Sequence, residues 1–418
     1  MKKILSTVAA LGLVAGMAVV ASAADLSVTG KYVVEGNYIS NAGAGGGANP
    51  FAETASDAYY MHTFQMLPTL KVNDNITMKS DIRLRKEARF GGAENAGNGD
   101  AVDFNKIYMV YSASIGTFTV GRTPAGAWGT PFLDSASMAD RIMFAPNMGS
   151  APVSVMLYTQ KTTEADGQAA TPASNQDTDQ YHVGVKYSQD NVTAAVGYFQ
   201  NNYAATDLTN SMIDAMGVYK INNFTLVGDF VMVKGDKDYG TNYDAKGLLL
   251  MGSGQFDNLT ASLAYVYASG DDASTVDENE GLMNFTGGLG KDFQPLYIFT
   301  GDAMHILNQD EKSGVSGTVA AADFGVHCIA AFVDYKVSDK LTLHGGIAMG
   351  KADDTSTASD IDDSYGMEYD LGAAYKLLGN LTYEAHLGYV AAGDFFEEAT
   401  AGEAQDITVL THSLTMKF

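Results

Sequence analysis

The chain of 418 residues has one cysteine, eight prolines and one tryptophan. The single Cys328 excludes an internal disulfide framework, a C-x-x-C-H haem site and any paired-cysteine metal site; we expect a small side chain there, buried or facing lipid. Basic residues are also scarce, because 25 lysines and arginines stand against 49 acids. The resulting net charge of −24 disfavours nucleic acid as a partner, since binding it requires basic residues that neutralise phosphates.

Long apolar runs are missing after the first residues. Residues 1–23 have the features of a secretory signal peptide: two lysines at positions 2 and 3, an apolar stretch over 4–20, and an Ala-Ser-Ala cleavage pattern at 21–23. The alternative is an uncleaved anchor. Beyond Ala24, no stretch approaches the roughly 18 apolar residues that a transmembrane helix needs. Because no Pro/Ser-rich linker interrupts the rest, we expect one domain over residues 24–418.

A short phrase recurs at intervals of about 32 to 40 residues, or nearly double that where one copy is missing. Asp, Asn or Gly is followed by an apolar residue and Thr, at 74–77, 190–193, 222–225, 257–260, 339–342 and 379–382, with a looser copy at 115–119. Asn, Asp and Gly tolerate the positive φ of tight turns, and the apolar-Thr pair starts a strand. Each copy therefore predicts a tight hairpin.

The other connections are longer and rich in Gly, Ala, Ser and acids, at 41–57, 91–102, 162–178, 271 onward, 353–364 and 394–404. Short turns alternating with long polar loops are typical of bacterial outer-membrane barrels, with turns in the periplasm and loops outside. We predict an all-β fold, a transmembrane antiparallel up-and-down β-barrel of about 18 strands, with 16 as the alternative. The uncertainty lies in residues 271–319, interpreted as one long outer loop that folds over or into the barrel.

Apolar and polar residues alternate along the predicted strands, and successive strand side chains point to opposite faces. Along residues 381–391, the set expected to face lipid is Leu381, Tyr383, Ala385, Leu387 and Tyr389, with polar residues between them. The last strand has the same pattern, with Leu410, His412, Leu414, Met416 and Phe418 on one face. It resembles the C-terminal strand of Gram-negative outer-membrane proteins, in which a terminal Phe serves barrel assembly.

Charged residues share one face of segment 78–90: Lys79, Asp81, Arg83, Arg85, Glu87 and Arg89. An arginine on the lipid face near the midplane costs roughly 2 to 4 kcal/mol, so this face is expected to line the lumen. Further along, a strand ends at Arg122, an irregular acidic stretch follows over 123–140, and Arg141 begins another strand. This order resembles the third-loop region of general trimeric porins.

The resemblance implies an inward-folded third loop that narrows the pore. It makes Arg83, Arg85, Arg89, Arg122 and Arg141 bases of the pore wall, and Asp134 and Asp140 acids of the constriction loop. Opposed charges across a constriction create a transverse field that orients dipolar solutes. In the alternative interpretation, the arginines form lumenal ion pairs that stiffen the wall.

We therefore expect an outer-membrane porin for passive diffusion of small hydrophilic solutes and ions. Its acidic loops favour cations, and the resemblance implies a homotrimer; lipid and lipopolysaccharide are the expected surroundings. One alternative is a substrate-specific channel with a binding site in the loop after Asp271, formed by Phe293, Tyr297 and Phe299. Another is a plugged structural or adhesive barrel.

Enzyme signatures are missing where they would be expected. The sequence lacks a complete phosphate loop, a G-x-S-x-G elbow and histidines at metal-ligand spacing. We expect no catalytic residue, cofactor or metal site, with a Ser-His hydrolase as a minor alternative.

Overall fold

The computed structural model describes residues 24–40, 56–90, 102–124, 128–132, 138–164, 177–204, 208–237, 242–286, 289, 295–300, 323–356, 361–398 and 404–418. Within these ranges, eighteen strands close into one antiparallel barrel. They are β1 (Asp25–Ile39), β2 (Asp57–Lys71), β3 (Ile76–Arg89), β4 (Asp103–Ala113), β5 (Gly116–Pro124), β6 (Met138–Pro146), β7 (Val153–Thr163), β8 (Thr178–Gln189), β9 (Val192–Tyr203), β10 (Leu208–Ile221), β11 (Phe224–Lys237), β12 (Asn242–Phe256), β13 (Leu259–Ala268), β14 (Val326–Lys336), β15 (Leu341–Lys351), β16 (Ser364–Leu378), β17 (Leu381–Ala392) and β18 (Ile407–Lys417).

The stretch that left the strand count open adds no strand to the barrel wall within its described residues. β13 pairs directly with β14, from Leu259 opposite Tyr335 to Ala268 opposite Val326. Between them lie a two-residue strand, Glu278–Asn279, parallel to β12, and a five-residue helix, α1 (Leu282–Thr286). A second short helix, α2 (Asp394–Glu398), follows β17. The prediction of 18 strands is confirmed and the alternative of 16 is wrong.

The repeated phrase marks hairpin turns, as predicted. Asp190, Asn222 and Asp257 have φ values of 52°, 49° and 51°, and each begins the two-residue connection between consecutive strands. These tight connections lie at one end of the barrel, the turn end, and the long connections lie at the other, the loop end. None of the helices among the described residues has the length and apolar character needed to cross a membrane.

The barrel closes where its last strand meets its first. β1 and β18 pair in antiparallel register, and the backbone N–H of Gly30 donates to the carbonyl of Phe418 over 2.9 Å. The Phe418 ring covers Gly30 and stacks on Phe64 at 6.0 Å between centroids. The predicted outward set of β18 is exposed at Leu410, Leu414, Met416 and Phe418, which fits the apolar face of a membrane barrel.

The inner wall is apolar at the loop end of β11 to β18, where alternation had predicted polar residues. Buried wall residues there include Val231, Val233, Leu249, Val266, Cys328, Val390 and Val409. They pack against loop residues that are themselves buried, namely Leu282, Met283, Leu289, Leu296, Ile298, Phe299, Phe395 and Phe396. Because the loops cover this part of the wall, its side chains face protein rather than water, and apolar residues are favoured.

Candidate channel lumen

Three of the arginines expected on the wall lie on the inner face. Arg83 pairs with Gln65 in the ladder, Arg89 with Met61 and Arg141 with Gly121. The neighbouring outward positions include Tyr60 and Ile142, which are 49% and 55% exposed. These bases lie on β3 and β6, and acids on β10, β11 and β16 lie on the far part of the same wall: Asp214, Asp229, Glu368 and Asp370. The inner wall therefore has arginines on one part and a group of buried acids on another.

Two inner arginines are ion-paired. The guanidinium of Arg83 lies 3.6 Å from a carboxylate oxygen of Asp81, which also accepts a hydrogen bond from the Asn105 amide at 3.0 Å. The guanidinium of Arg89 lies 3.1 Å from the carboxylate of Asp57 on β2 and stacks on the ring of Tyr59, also on β2. Both ion pairs fit the wall-stiffening alternative.

Arg141 has a different environment. Its side chain is buried, with 5% of its surface exposed, and its guanidinium lies 4.1 Å from the centroid of the Tyr158 ring. It donates a hydrogen bond to the Gln160 amide oxygen and another to the carbonyl of Pro124, where β5 ends. Arg141 thus fastens the start of the third loop to the wall.

Arg122 and Asp140 are corrections to the sequence analysis. They lie opposite each other on β5 and β6, with 3.5 Å between guanidinium and carboxylate. Both belong to the outward face, which they share with Val120 and Ile142, each two residues away along its strand. Asp140 is also a strand residue and not part of the loop. Strand alternation therefore removes both from the lumen.

Three other predicted residues lie outside the description. Asp134 and Phe293 fall in ranges that the structure does not describe, and only the backbone of Arg85 is described, within β3. Their proposed places in the lumen stay predictions.

The third loop, which connects β5 to β6, does turn into the barrel at its described residues 128–132. Trp128 is buried against the inner wall of β8 and β9, where Gly184 and Gly197 are paired opposite each other. A methyl group on either glycine would fall within 2.7 Å of the indole. The His182 ring lies beside the indole at 5.3 Å between centroids. The two paired glycines thus leave the space on the inner wall in which Trp128 packs.

The next two loop residues meet the acidic wall. Thr130 donates to the Asp229 carboxylate twice, from its backbone N–H at 2.8 Å and its hydroxyl at 2.6 Å. Gly129 lies so close that an added Cβ would be 2.6 Å from the carboxylate of Asp214 and 2.9 Å from that of Asp229. Both aspartates are buried on β10 and β11. Charge-assisted hydrogen bonds of this kind are stronger than neutral ones, so the loop is held against the acidic side.

A second inward segment packs on the inner wall at the loop end of the barrel; we call it the plug and define it as Leu282–Thr286, Leu289 and residues 295–300. Its last part is held by one carboxylate of β16. Glu368 accepts hydrogen bonds from the backbone N–H groups of Tyr297, Ile298 and Phe299 at 2.9, 2.5 and 2.7 Å. Glu368 is fully buried, and these three donors satisfy its oxygen atoms.

The acids of the outer mouth are partly built into the loop. Burial raises the pKa of Asp271, whose carboxylate accepts the backbone N–H of Glu280 at 2.9 Å. A hydrogen bond from the backbone N–H of Ser274 lowers the pKa of Asp272. Among the described residues, no group of three acids, histidines or cysteines is arranged to hold a metal ion.

Comparison with known proteins agrees with this geometry. The family model described as Gram-negative porin matches residues 7–355. The chain belongs to the Gram-negative porins. Membership of this family and the barrel fold imply an outer-membrane channel for small solutes and not an enzyme. No curated protein sequence matches this porin.

Solved structures share the fold of the porin at low sequence identity. OpdO of Pseudomonas aeruginosa has a TM-score of 0.57 and 11% identity, covering 94% of this chain and 97% of its own. OccK11 (OpdR) of the same organism has a TM-score of 0.55 and 12% identity, covering 94% of this chain and 96% of its own. A BenF-like porin from Pseudomonas fluorescens Pf-5 has a TM-score of 0.55 and 14% identity, covering 94% of this chain and 99% of its own. At this identity, the likeness concerns the fold.

Proposed function

We propose that this porin is a passive diffusion channel for small hydrophilic solutes and ions, with a preference for cations. The supporting observation is the division of the inner wall, with Arg141 on one side and Asp214 and Asp229 on the other. Such opposed charges create a transverse field that favours hydrated and dipolar solutes. The excess of acids over bases, 49 to 25, supports the cation preference.

Planar bilayers test this proposal. The purified porin is expected to form stable open channels, and its reversal potential under a KCl gradient is expected to show cation preference. A silent barrel contradicts diffusion through it, and a clearly anion-selective channel contradicts the preference.

We propose further that the porin is exported by a cleaved signal peptide at residues 1–23 and forms a homotrimer in contact with lipopolysaccharide. The A-x-A pattern supports cleavage before Ala24, and the resemblance to general trimeric porins supports the trimer. N-terminal sequencing and the native mass of the membrane-extracted protein test both points. A mature chain that begins at Met1, or a monomer, contradicts them.

The second candidate is a substrate-specific channel, and the plug favours it. Tyr297, one of the aromatics expected in a binding site, belongs to the plug, and its ring stacks on the inner-wall residue His386 at 4.8 Å between centroids. Phe299, by contrast, is fully buried in the apolar cluster and offers no surface to a solute. Conductance that saturates and is blocked by one solute supports this candidate. The third candidate is a structural barrel that the plug closes, and it predicts no conductance.

A further inference from the structure

A row of inner-wall residues crosses five strands at the edge of the plug. Directly paired neighbours run from β14 to β18 in the order Asp334, His344, Gly372, His386 and Thr411. The outward neighbours along the same strands are exposed, at Val333, Leu343, Leu371, Leu387 and Leu410. The row therefore faces the lumen, and it brings two histidines 42 positions apart in the sequence to the same place.

The first imidazole is oriented by a carboxylate. Nδ1 of His344 and a carboxylate oxygen of Asp334 form a short hydrogen bond. An ionised carboxylate only accepts, so Nδ1 is the donor, and in the neutral ring Nε2 keeps its lone pair for a ligand. The side chains of His344 and Asp334 are 35% and 52% exposed, so solutes in the lumen can reach them. A carboxylate bound to one ring nitrogen is the usual partner of a metal-binding histidine.

The glycine between the histidines brings the two rings together. The centroids of His344 and His386 are 5.9 Å apart, and the His386 ring lies over Gly372. A Cβ at position 372 would be 2.5 Å from Nδ1 of His386. On its far side, His386 stacks on Tyr297, whose hydroxyl is hydrogen-bonded to Thr411. The second imidazole thus lies next to the first.

Charges around the row favour a cation over an anion. Asp334 belongs to the row, Glu384 is the next inward residue from His386 on β17, and Asp370 and Glu368 lie on β16 beneath the plug. The nearest inward lysines, at the turn ends of β14 and β16, are Lys336 and Lys376, and Lys336 is paired with Asp339. A ligand that prefers imidazole nitrogen and carries positive charge fits this environment.

We propose that His344 and His386 form a lumenal binding site for a divalent transition-metal cation of the Zn²⁺ or Ni²⁺ class. Imidazole suits these ions, and metal–nitrogen bonds of about 2.0–2.1 Å reach both rings once His386 turns its edge toward His344. Two protein ligands leave the remaining positions to water, so the ion exchanges readily. The alternative role of the histidine pair is structural: the two rings form a stack that supports Tyr297 of the plug.

Direct binding tests the site without relying on conduction. Isothermal titration of the untagged porin in detergent with NiCl₂ is expected to show one site per chain that is lost in His344→Gln and in His386→Gln. Asp334→Asn keeps both ligands and is expected to bind about tenfold more weakly, as for other partners of metal-binding histidines. Gly372→Ala, which displaces the His386 ring, is expected to weaken binding with no ligand removed.

His412→Gln is the matched control, because His412 lies on the outward face between Tyr60 and Tyr383. It is expected to bind Ni²⁺ as the unmodified porin does, and each variant is first checked for a folded barrel by its heat-dependent mobility in SDS gels. Binding that persists in the His344→Gln, His386→Gln double variant overturns the site, as does equal loss in His412→Gln. A stack with a purely structural role predicts no binding at all.

The position of the site in the solute path rests on the proposed channel function and has its own measurement. Ni²⁺ is expected to reduce single-channel conductance reversibly, and His386→Gln is expected to abolish the effect. Binding without block contradicts the position in the path and leaves the site. A barrel that is silent before Ni²⁺ is added instead contradicts the channel function.

Discussion

The carboxylate of Glu368 accepts the backbone N–H of Phe299 at 2.7 Å, which joins β16 to the plug across 69 residues. The same side chain binds the two preceding N–H groups. Burying a polar group without hydrogen-bond partners is costly, so these three bonds favour the packed position of the plug.

Glu368→Gln is expected to loosen the plug. Glu368 accepts plug N–H groups through both of its carboxyl oxygens, and in glutamine one of these oxygens is replaced by an NH₂ group, which cannot accept. At least one buried plug N–H then loses its partner at a cost of about 1–3 kcal/mol, which raises the population with the plug displaced about five- to a hundredfold. Cys328 is the only cysteine and is 2% exposed beneath the plug. The rate at which Cys328 reacts with a thiol reagent is expected to rise by that factor. Single-channel conductance is expected to increase as well.

Glu384→Gln is the matched control for this experiment. It makes the same substitution on the inner face of β17, and the hydrogen bonds to the plug come from β16. Equal labelling of Cys328 in both variants would show that Glu368 does not hold the plug.

Arg141→Gln is expected to make the channel more cation-selective. A unit charge about 10 Å from a passing ion contributes roughly 1.5 kcal/mol at an effective dielectric constant of about 20, so the permeability ratio of K⁺ to Cl⁻ is expected to rise about tenfold or more. Arg122→Gln removes the same charge from the outward face and is expected to leave the reversal potential unchanged. A larger shift in Arg122→Gln would contradict the assignment of faces.

Gly129→Ala is expected to displace the third loop. The new methyl group would be 2.6 Å from the Asp214 carboxylate, and relieving that contact breaks the hydrogen bonds from Thr130 to Asp229, at about 1–3 kcal/mol for a buried group left without its partner. We expect a lower melting temperature and altered, noisier single-channel currents. Gly217→Ala on β10, where a Cβ meets no atom within 4 Å, is the control and is expected to change neither.

Local features of the fold could be predicted from the sequence because their causes are local. Positive φ at Asp190, Asn222 and Asp257 follows from the turn chemistry of those residues. The outward position of Arg122 and Asp140 could also be predicted. Arg122 lies two residues after Val120, and Asp140 lies two before Ile142, so alternation along each strand places both on the outer face. The resemblance to the third-loop region led to the wrong face.

Contacts between distant segments were beyond the sequence. Nothing near Glu368 or Phe299 indicates that they meet, because the contact depends on how the whole loop folds back. The apolar inner wall left one signal, since the run at 326–333 is apolar on successive positions apart from His327, which indicates a strand covered on both faces. Asp214, Asp229, His344 and His386 had no local signal, since each is an ordinary inward polar residue until the register assembles them.

Phe418→Ala is expected to weaken closure of the barrel. The ring fills the space over Gly30 and stacks on Phe64, so it covers the seam between β1 and β18 on the lipid side, whereas the backbone bonds between Gly30 and Phe418 survive the substitution. Removing the ring leaves the space over Gly30 open and removes the stacking on Phe64, so the seam loses packing contacts. We expect a lower yield of folded barrel and a lower temperature of unfolding in SDS. Leu414→Ala removes an exposed apolar side chain from the same face of β18 and is expected to have a smaller effect; an equal effect would mean that lipid contact in general, and not the seam, is what Phe418 provides.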